Sequence, residues 1–118
     1  MKQPKLYHYP GCSTCRKARA FLAAAGVEVE AIDIVEHPPS ARELAEVLAR
    51  SGLPLKKLFN VSGQSYREGG FKEKLPSMTE AEALAALAAD GKLIKRSILI
   101  SSERALVGFD QDAWSRLT

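Results

Sequence analysis

Cysteine is scarce in this chain of 118 residues, which holds two, Cys12 and Cys15. Zinc needs four ligands, and the remaining soft candidates, His8 and His37, lack the spacing of a finger or ribbon. A bilayer-spanning apolar run is also missing, as is the apolar core of a signal peptide. The polar N-terminal residues lead directly into a strand pattern, so no membrane is expected and the cytoplasm is the expected location. In that reducing compartment a C-x-x-C is more often catalytic or sensing than a structural staple. Long charge runs are absent too. A net charge of +3, from 17 basic and 14 acidic residues, is mildly basic and is not the balance of a chain that coats nucleic acid, so no direct nucleic-acid contact is expected. Acidic residues do not occur before Glu28, whereas Lys2, Lys5, Arg16, Lys17 and Arg19 do. A thiolate or a bound oxyanion would be favoured in that part of the chain.

What is present is organised around residues 4–26. Lys5 to Tyr9 alternates and is rich in aromatics, which predicts a strand ended by Pro10-Gly11. From Ser13 to Ala25 good helix formers follow, with Ala18, Phe21, Leu22 and Ala25 on one apolar face and Gly26 placed to end the helix. Cys12 then stands at the helix N-terminus, where free backbone N–H groups and the helix dipole favour a thiolate. Cys15, three residues on, is within reach of a disulfide, so Cys12 is the expected nucleophile and Cys15 the resolving thiol. His8 is a candidate imidazolium beside the thiolate, with an ordinary strand histidine as the alternative.

A single domain, 1–118, is expected. Val27 to Val35 alternates and is β-branched, giving a second strand and a parallel β-α-β unit. A helical insertion at about 38–92 follows. Ser40 with Glu43, and Thr79 with Glu82, have the form of capping boxes. The first precedes an apolar face of Leu44, Val47 and Leu48; the second precedes Ala83, Leu84, Leu87 and Ala88. Residues 55–76 read as turn-rich, with short helical turns, and Arg67 and Asn60 lie in this loop, which could cover the thiols. Ser97 to Ser101 and Arg104 to Gly108 predict a hairpin through Ser102 and Glu103. Asp110 is placed to cap a last helix with Ala113, Trp114 and Leu117 inward. Tyr7, Phe21 and Trp114 are expected in the core. The sum is an α/β chain of order β-α-β, helical insertion, β-β-α, with a mixed sheet of about four strands.

That order is thioredoxin-like, and the chain resembles the ArsC/Spx family over essentially its full length. His8-Tyr9-Pro10-Gly11-Cys12-Ser13-Thr14-Cys15-Arg16 is similar to the arsenate-reductase motif H-N-P-x-C-G-T-S-R. Cys15 stands where that motif has serine, which is the pattern of Spx and of many reductase-like relatives. Phe59 to Arg67 and Leu93-Ile94-Lys95-Arg96 also resemble the relatives. The resemblance implies attack of a cysteine thiolate on an oxyanion held by arginines, with no tightly bound cofactor and with glutathione and glutaredoxin, or thioredoxin, as reductant. Arg96 matches one of three family arginines; Asn60 and Phe109 occupy the other two positions, and Arg16 or Arg67 could compensate. Ser97 stands where the family has a cis-proline, so either a cis peptide is kept or the loop relaxes. The Spx likeness implies a second reading, a redox-sensing regulator that binds the C-terminal domain of the RNA polymerase alpha subunit.

Overall fold

The computed structural model describes residues 3–102 and 104–117. Strand β1 (Lys5–His8) is central, parallel to β2 (Glu30–Asp33) and antiparallel to β3 (Ile98–Ile100), which pairs antiparallel with β4 (Ala105–Val107) in the order β2-β1-β3-β4. This is the expected mixed sheet, with helix α1 (Ser13–Ala24) crossing from β1 to β2. The β3–β4 connection is closed by the Ser101 N–H donating to the Arg104 carbonyl at 2.8 Å, while Glu103 lies outside the described residues.

Alternation along β1 divides the core. Leu6 points to one face, where Ala18 and Leu22 of α1, Leu99 and Trp114 bury together. Tyr7 points to the other, onto Leu44, Val47, Leu58, Phe59, Leu87 and Ile98. Phe21 is half-buried against the first of these clusters.

The second strand is shorter than Val27 to Val35. The Val27 N–H still bonds to the Leu22 carbonyl at 2.9 Å, finishing α1, and at the other end Asp33 Oδ1 accepts from the Val35 and Glu36 N–H groups and turns the chain away. Ala25 is the C-cap of α1 and is exposed, so the buried stripe is Cys15, Ala18 and Leu22. The insertion begins with α2 (Ala41–Ser51), which stops at Gly52, where φ is 69°. Only half of its expected capping box forms. Ser40 Oγ accepts from the Glu43 N–H, but the Glu43 carboxylate reaches across to the Tyr7 hydroxyl and to Lys5 Nζ at 3.3 Å. The buried phenol outcompetes the helix end for that carboxylate.

A 3-10 turn at Leu55–Leu58 leads to α3 (Gln64–Glu68) and α4 (Phe71–Lys74), then a 3-10 turn at Leu75–Ser77 and α5 (Glu80–Ala89), whose Thr79 and Glu82 form the complete box. A last 3-10 turn, Gly91–Leu93, presses against the sheet: a Cβ on Gly91 would lie 2.0 Å from the Ile34 carbonyl oxygen. The two arms of the insertion are clipped together by Asn60 N–H to the Leu93 carbonyl and Lys95 N–H to the Leu58 carbonyl, both 2.8 Å. That clip fixes Asn60 and Arg96 near the end of β1. Helix α6 (Gln111–Leu117) begins at Asp110, whose Oδ1 accepts from the Asp112 N–H at 3.0 Å, and buries Trp114; the Leu117 side chain lies outside the described residues. Among the described residues no helix is long and apolar enough to cross a membrane.

Candidate active site

The Cys12 N–H donates to the Tyr9 carbonyl at 2.9 Å, closing a tight turn through Pro10-Gly11 that delivers Cys12 to the start of α1 as its N-cap. Cys12 is partly exposed and Cys15 is buried, and both are free thiols. Partial burial alone would push the Cys12 thiol up. Thr14 Oγ1 at 3.0 Å, the backbone N–H and side chain of Cys15, and the Arg96 charge outweigh it and bring the pKa down to about 7. A large share of Cys12 is therefore thiolate at neutral pH. Cys15 is shifted the other way, raised chiefly by burial and by the Cys12 charge, although Ser97 and the Tyr9 N–H (3.4 Å to Sγ) oppose the rise. At neutral pH one sulfur is thus substantially ionised while the other stays protonated behind it.

Arg96 lies with its guanidinium carbon 5.0 Å above the Tyr9 ring, a cation–π contact that holds the charge over the site. The Arg96–Ser97 peptide is cis. Beside Arg96 opens a cleft of about 390 Å³, lined by Tyr9, Asn60, Gln64, Ser65, Glu68 and Lys92. Asn60 is thus brought to Arg96, as a neutral amide. Arg67 is not: its guanidinium donates to the Ser62 carbonyl at 3.1 Å, and it lines a separate cleft with Val61, Tyr66 and Lys72. Arg16 is exposed on the first turn of α1, and its guanidinium makes no hydrogen bond or ion pair among the described residues. Phe109 packs edge-on against Trp114, centroids 5.2 Å apart, and against Phe21 at 5.7 Å; it supplies no charge and closes the core beneath α1 and α6.

His8 is buried, and burial lowers its pKa, with Arg19 acting in the same direction and Asp33 against it. Of the two readings of His8, the lowered pKa favours the neutral strand histidine, and the charge that lowers Cys12 comes from Arg96. Thr14, Tyr9 and Lys92 join the site without having been expected there. A hydroxyl two positions after a helix-capping cysteine was the available signal for Thr14; Tyr9 and Lys92 acquire their positions only through the fold. Among the described residues no three His, Cys, Asp or Glu side chains cluster so as to hold a metal ion.

A model of the ArsC family matches residues 7–117. YusI of Bacillus subtilis (strain 168), an uncharacterized protein, is 51% identical over 106 residues, 90% of each chain. An arsenate reductase of Rhizobium meliloti (strain 1021) is 30% identical over 96 residues, covering 81% of this chain and 67% of that protein. The crystal structure of an ArsC family related protein from Bacteroides fragilis aligns with a TM-score of 0.95 at 41% identity, over 99% of this chain and 98% of that one.

Proposed function

The chain belongs to the ArsC family, and from that premise we propose that it is a thiol oxidoreductase in which Cys12 attacks and Cys15 resolves. The observation that carries the reading is the opposed pair of thiols, Cys12 lowered to about 7 at the head of α1 and Cys15 raised and buried one turn behind it. Cys12 thiolate forms a covalent adduct with an oxidised substrate, displacing an oxygen of arsenate as water or one thiol of a disulfide. Cys15 then attacks the Cys12 sulfur, closing a Cys12–Cys15 disulfide. The two electrons leave with the substrate, as arsenite or as the two thiols of a reduced disulfide, and an external dithiol or glutathione with glutaredoxin returns them.

Arsenate is the more demanding substrate for this site. With Asn60 neutral and Phe109 in the core, Arg96 is the guanidinium over the thiolate, joined in the cleft by Lys92. A single bidentate arginine still suits a tetrahedral anion.

The test uses fully reduced protein without any other thiol. Arsenate and a low-molecular-weight disulfide are added separately, and intact mass and arsenite are followed. Loss of two hydrogens in step with one arsenite or two thiols per chain, abolished by Cys12→Ser, supports the reading; arsenate active but sensitive to Arg96→Met identifies the oxyanion branch. Both thiols remaining free with either oxidant sinks it. The second cysteine also favours a regulator in which the same disulfide switches binding to the RNA polymerase alpha C-terminal domain. Its sign would be a pull-down that differs between reduced and oxidised protein, with no catalytic turnover.

A further inference from the structure

Two buried side-chain atoms among the described residues have no hydrogen-bond partner, His8 Nδ1 and Ser97 Oγ. Leaving such groups unpaired in the interior is unfavourable, and an apolar residue at either place would avoid it. The sheet relates them. Strands β1 and β3 pair Leu6 with Leu99 and Tyr7 with Ile98, so the next step of the register sets Ser97 opposite His8. Directly opposed residues hold their Cβ atoms about 4.5–5.5 Å apart, a separation that an imidazole and a hydroxyl can bridge. By alternation both lie on the face of Leu6 and Leu99, under α1, where Cys15 is buried at 1% exposure. Ser97 Oγ sits beside the Cys15 sulfur, near enough to oppose the rise in its pKa yet short of hydrogen-bond alignment. On the far side Asp33 of β2 is in register with His8. Asp33, His8, Ser97 and Cys15 thus form a line from the sheet edge to the inner thiol.

The resolving step needs such a line. Cys15 must lose its proton before it can attack, and at 1% exposure it cannot hand that proton directly to bulk water. We propose that Ser97 and His8 are the proton route out of Cys15. The Cys15 S–H proton passes to Ser97 Oγ as the Ser97 hydroxyl proton passes to His8 Nδ1. The Cys15 thiolate then attacks Cys12 Sγ in a Cys12 mixed disulfide, forming the Cys12–Cys15 bond and breaking the bond to the departing thiolate, which takes a proton from solvent. The His8 imidazolium is opposed by Arg19 of α1 and supported by Asp33 of β2, and it returns its proton to solvent once the disulfide has closed. A neutral buried imidazole is the form this role requires.

The proposal rests on the resolving role of Cys15, and an aromatic disulfide, 5,5′-dithiobis(2-nitrobenzoate), separates the two. With one equivalent of it, the first chromophoric thiolate released reports Cys12 attack and the second reports Cys15 closure. A wild-type protein that releases only one equivalent overturns the resolving role and this route with it. If two are released, His8→Gln and Ser97→Ala are expected to slow the second phase relative to the first by about 10-fold or more at about pH 7, and to lose that deficit at about pH 10, where hydroxide can remove the proton. Ser97→Thr, which keeps the hydroxyl, is expected within about 3-fold of wild type. A packing defect would slow closure at every pH and would not distinguish threonine from alanine. Should His8→Gln fail to fold by circular dichroism, the alanine–threonine pair decides. Equal second-phase rates and pH profiles in wild type and Ser97→Ala overturn the proposal.

Discussion

Replacing Thr14 by valine removes the hydroxyl that lies 3.0 Å from the Cys12 sulfur while keeping the side chain's shape and branching. A hydrogen bond to a charged group contributes about 1.5–3 kcal/mol. Thr14 is exposed, so water replaces part of it, and the low end of that range is the reasonable figure. About 1.4 kcal/mol corresponds to about one pKa unit, which raises Cys12 from about 7 to about 8. At about pH 7 the thiolate fraction then falls from about a half to about a tenth. The more basic thiolate is also a better nucleophile, by about 3-fold for a Brønsted slope of roughly 0.4–0.5. The two effects oppose each other. Thr14→Val is therefore expected to be only about 2-fold slower than wild type at about pH 7, about 3-fold faster at about pH 10, and to cross it near roughly pH 7.5. Stopped-flow measurement of the first thiolate released from an aromatic disulfide, across that pH range, reads the crossing directly. Superimposable profiles would show that the hydroxyl does not hold the thiolate, and a variant slower at every pH would show that it acts through packing.

Other substitutions test neighbouring parts of the structure. At about neutral pH iodoacetamide should label Cys12 and spare Cys15, because one thiol is lowered to about 7 and the other is buried and raised; equal labelling in a peptide map refutes the assignment. Cys15→Ser should trap a stable mixed disulfide on Cys12, seen as added mass, and recovery of unmodified protein would argue against resolution by Cys15. Gly91→Ala places a Cβ 2.0 Å from the Ile34 carbonyl oxygen. A loss of about 3 kcal/mol or more is expected from the urea midpoint, and an unchanged midpoint would contradict that close approach. Tyr7 is raised first by burial and then by Glu43, so Glu43→Gln should bring its ionisation to lower pH in an absorbance titration; an unmoved midpoint would leave burial as the sole cause.

The order of elements and the thiol pair were legible because each signal is local. Cys12, Thr14 and Cys15 share one helical turn, and Thr79 with Glu82 makes its box within a few residues. Where a distant partner competes, local rules fail. Glu43 has the spacing of a cap, but the Tyr7 hydroxyl takes its carboxylate, a pairing that depends on α2 lying against β1. Arg67 shows the limit of reading a loop without its helix. Gln64, Ser65 and Glu68 share the face of α3 that lines the cleft, and Arg67 falls roughly 110° around the helix from the middle of that face. The line from Asp33 to Cys15 was hidden for a related reason, since it exists only once the register sets β2, β1 and β3 side by side.

Helices α2 and α5 begin on Ser40 and Thr79, whose oxygens accept an N–H from the first turn. Helix α1 begins on Cys12, which offers no oxygen cap; its sulfur draws on the Cys15 N–H of the first turn as a thiolate. Its first turn is therefore completed by the charge state and occupancy of the site rather than by a fixed cap. An ionised sulfur or an anion held there adds its binding free energy to the folded state alone. The melting temperature of this protein becomes a reporter of its site: a panel of oxidants and anions ranked by thermal shift would sort candidate substrates before any turnover is measured.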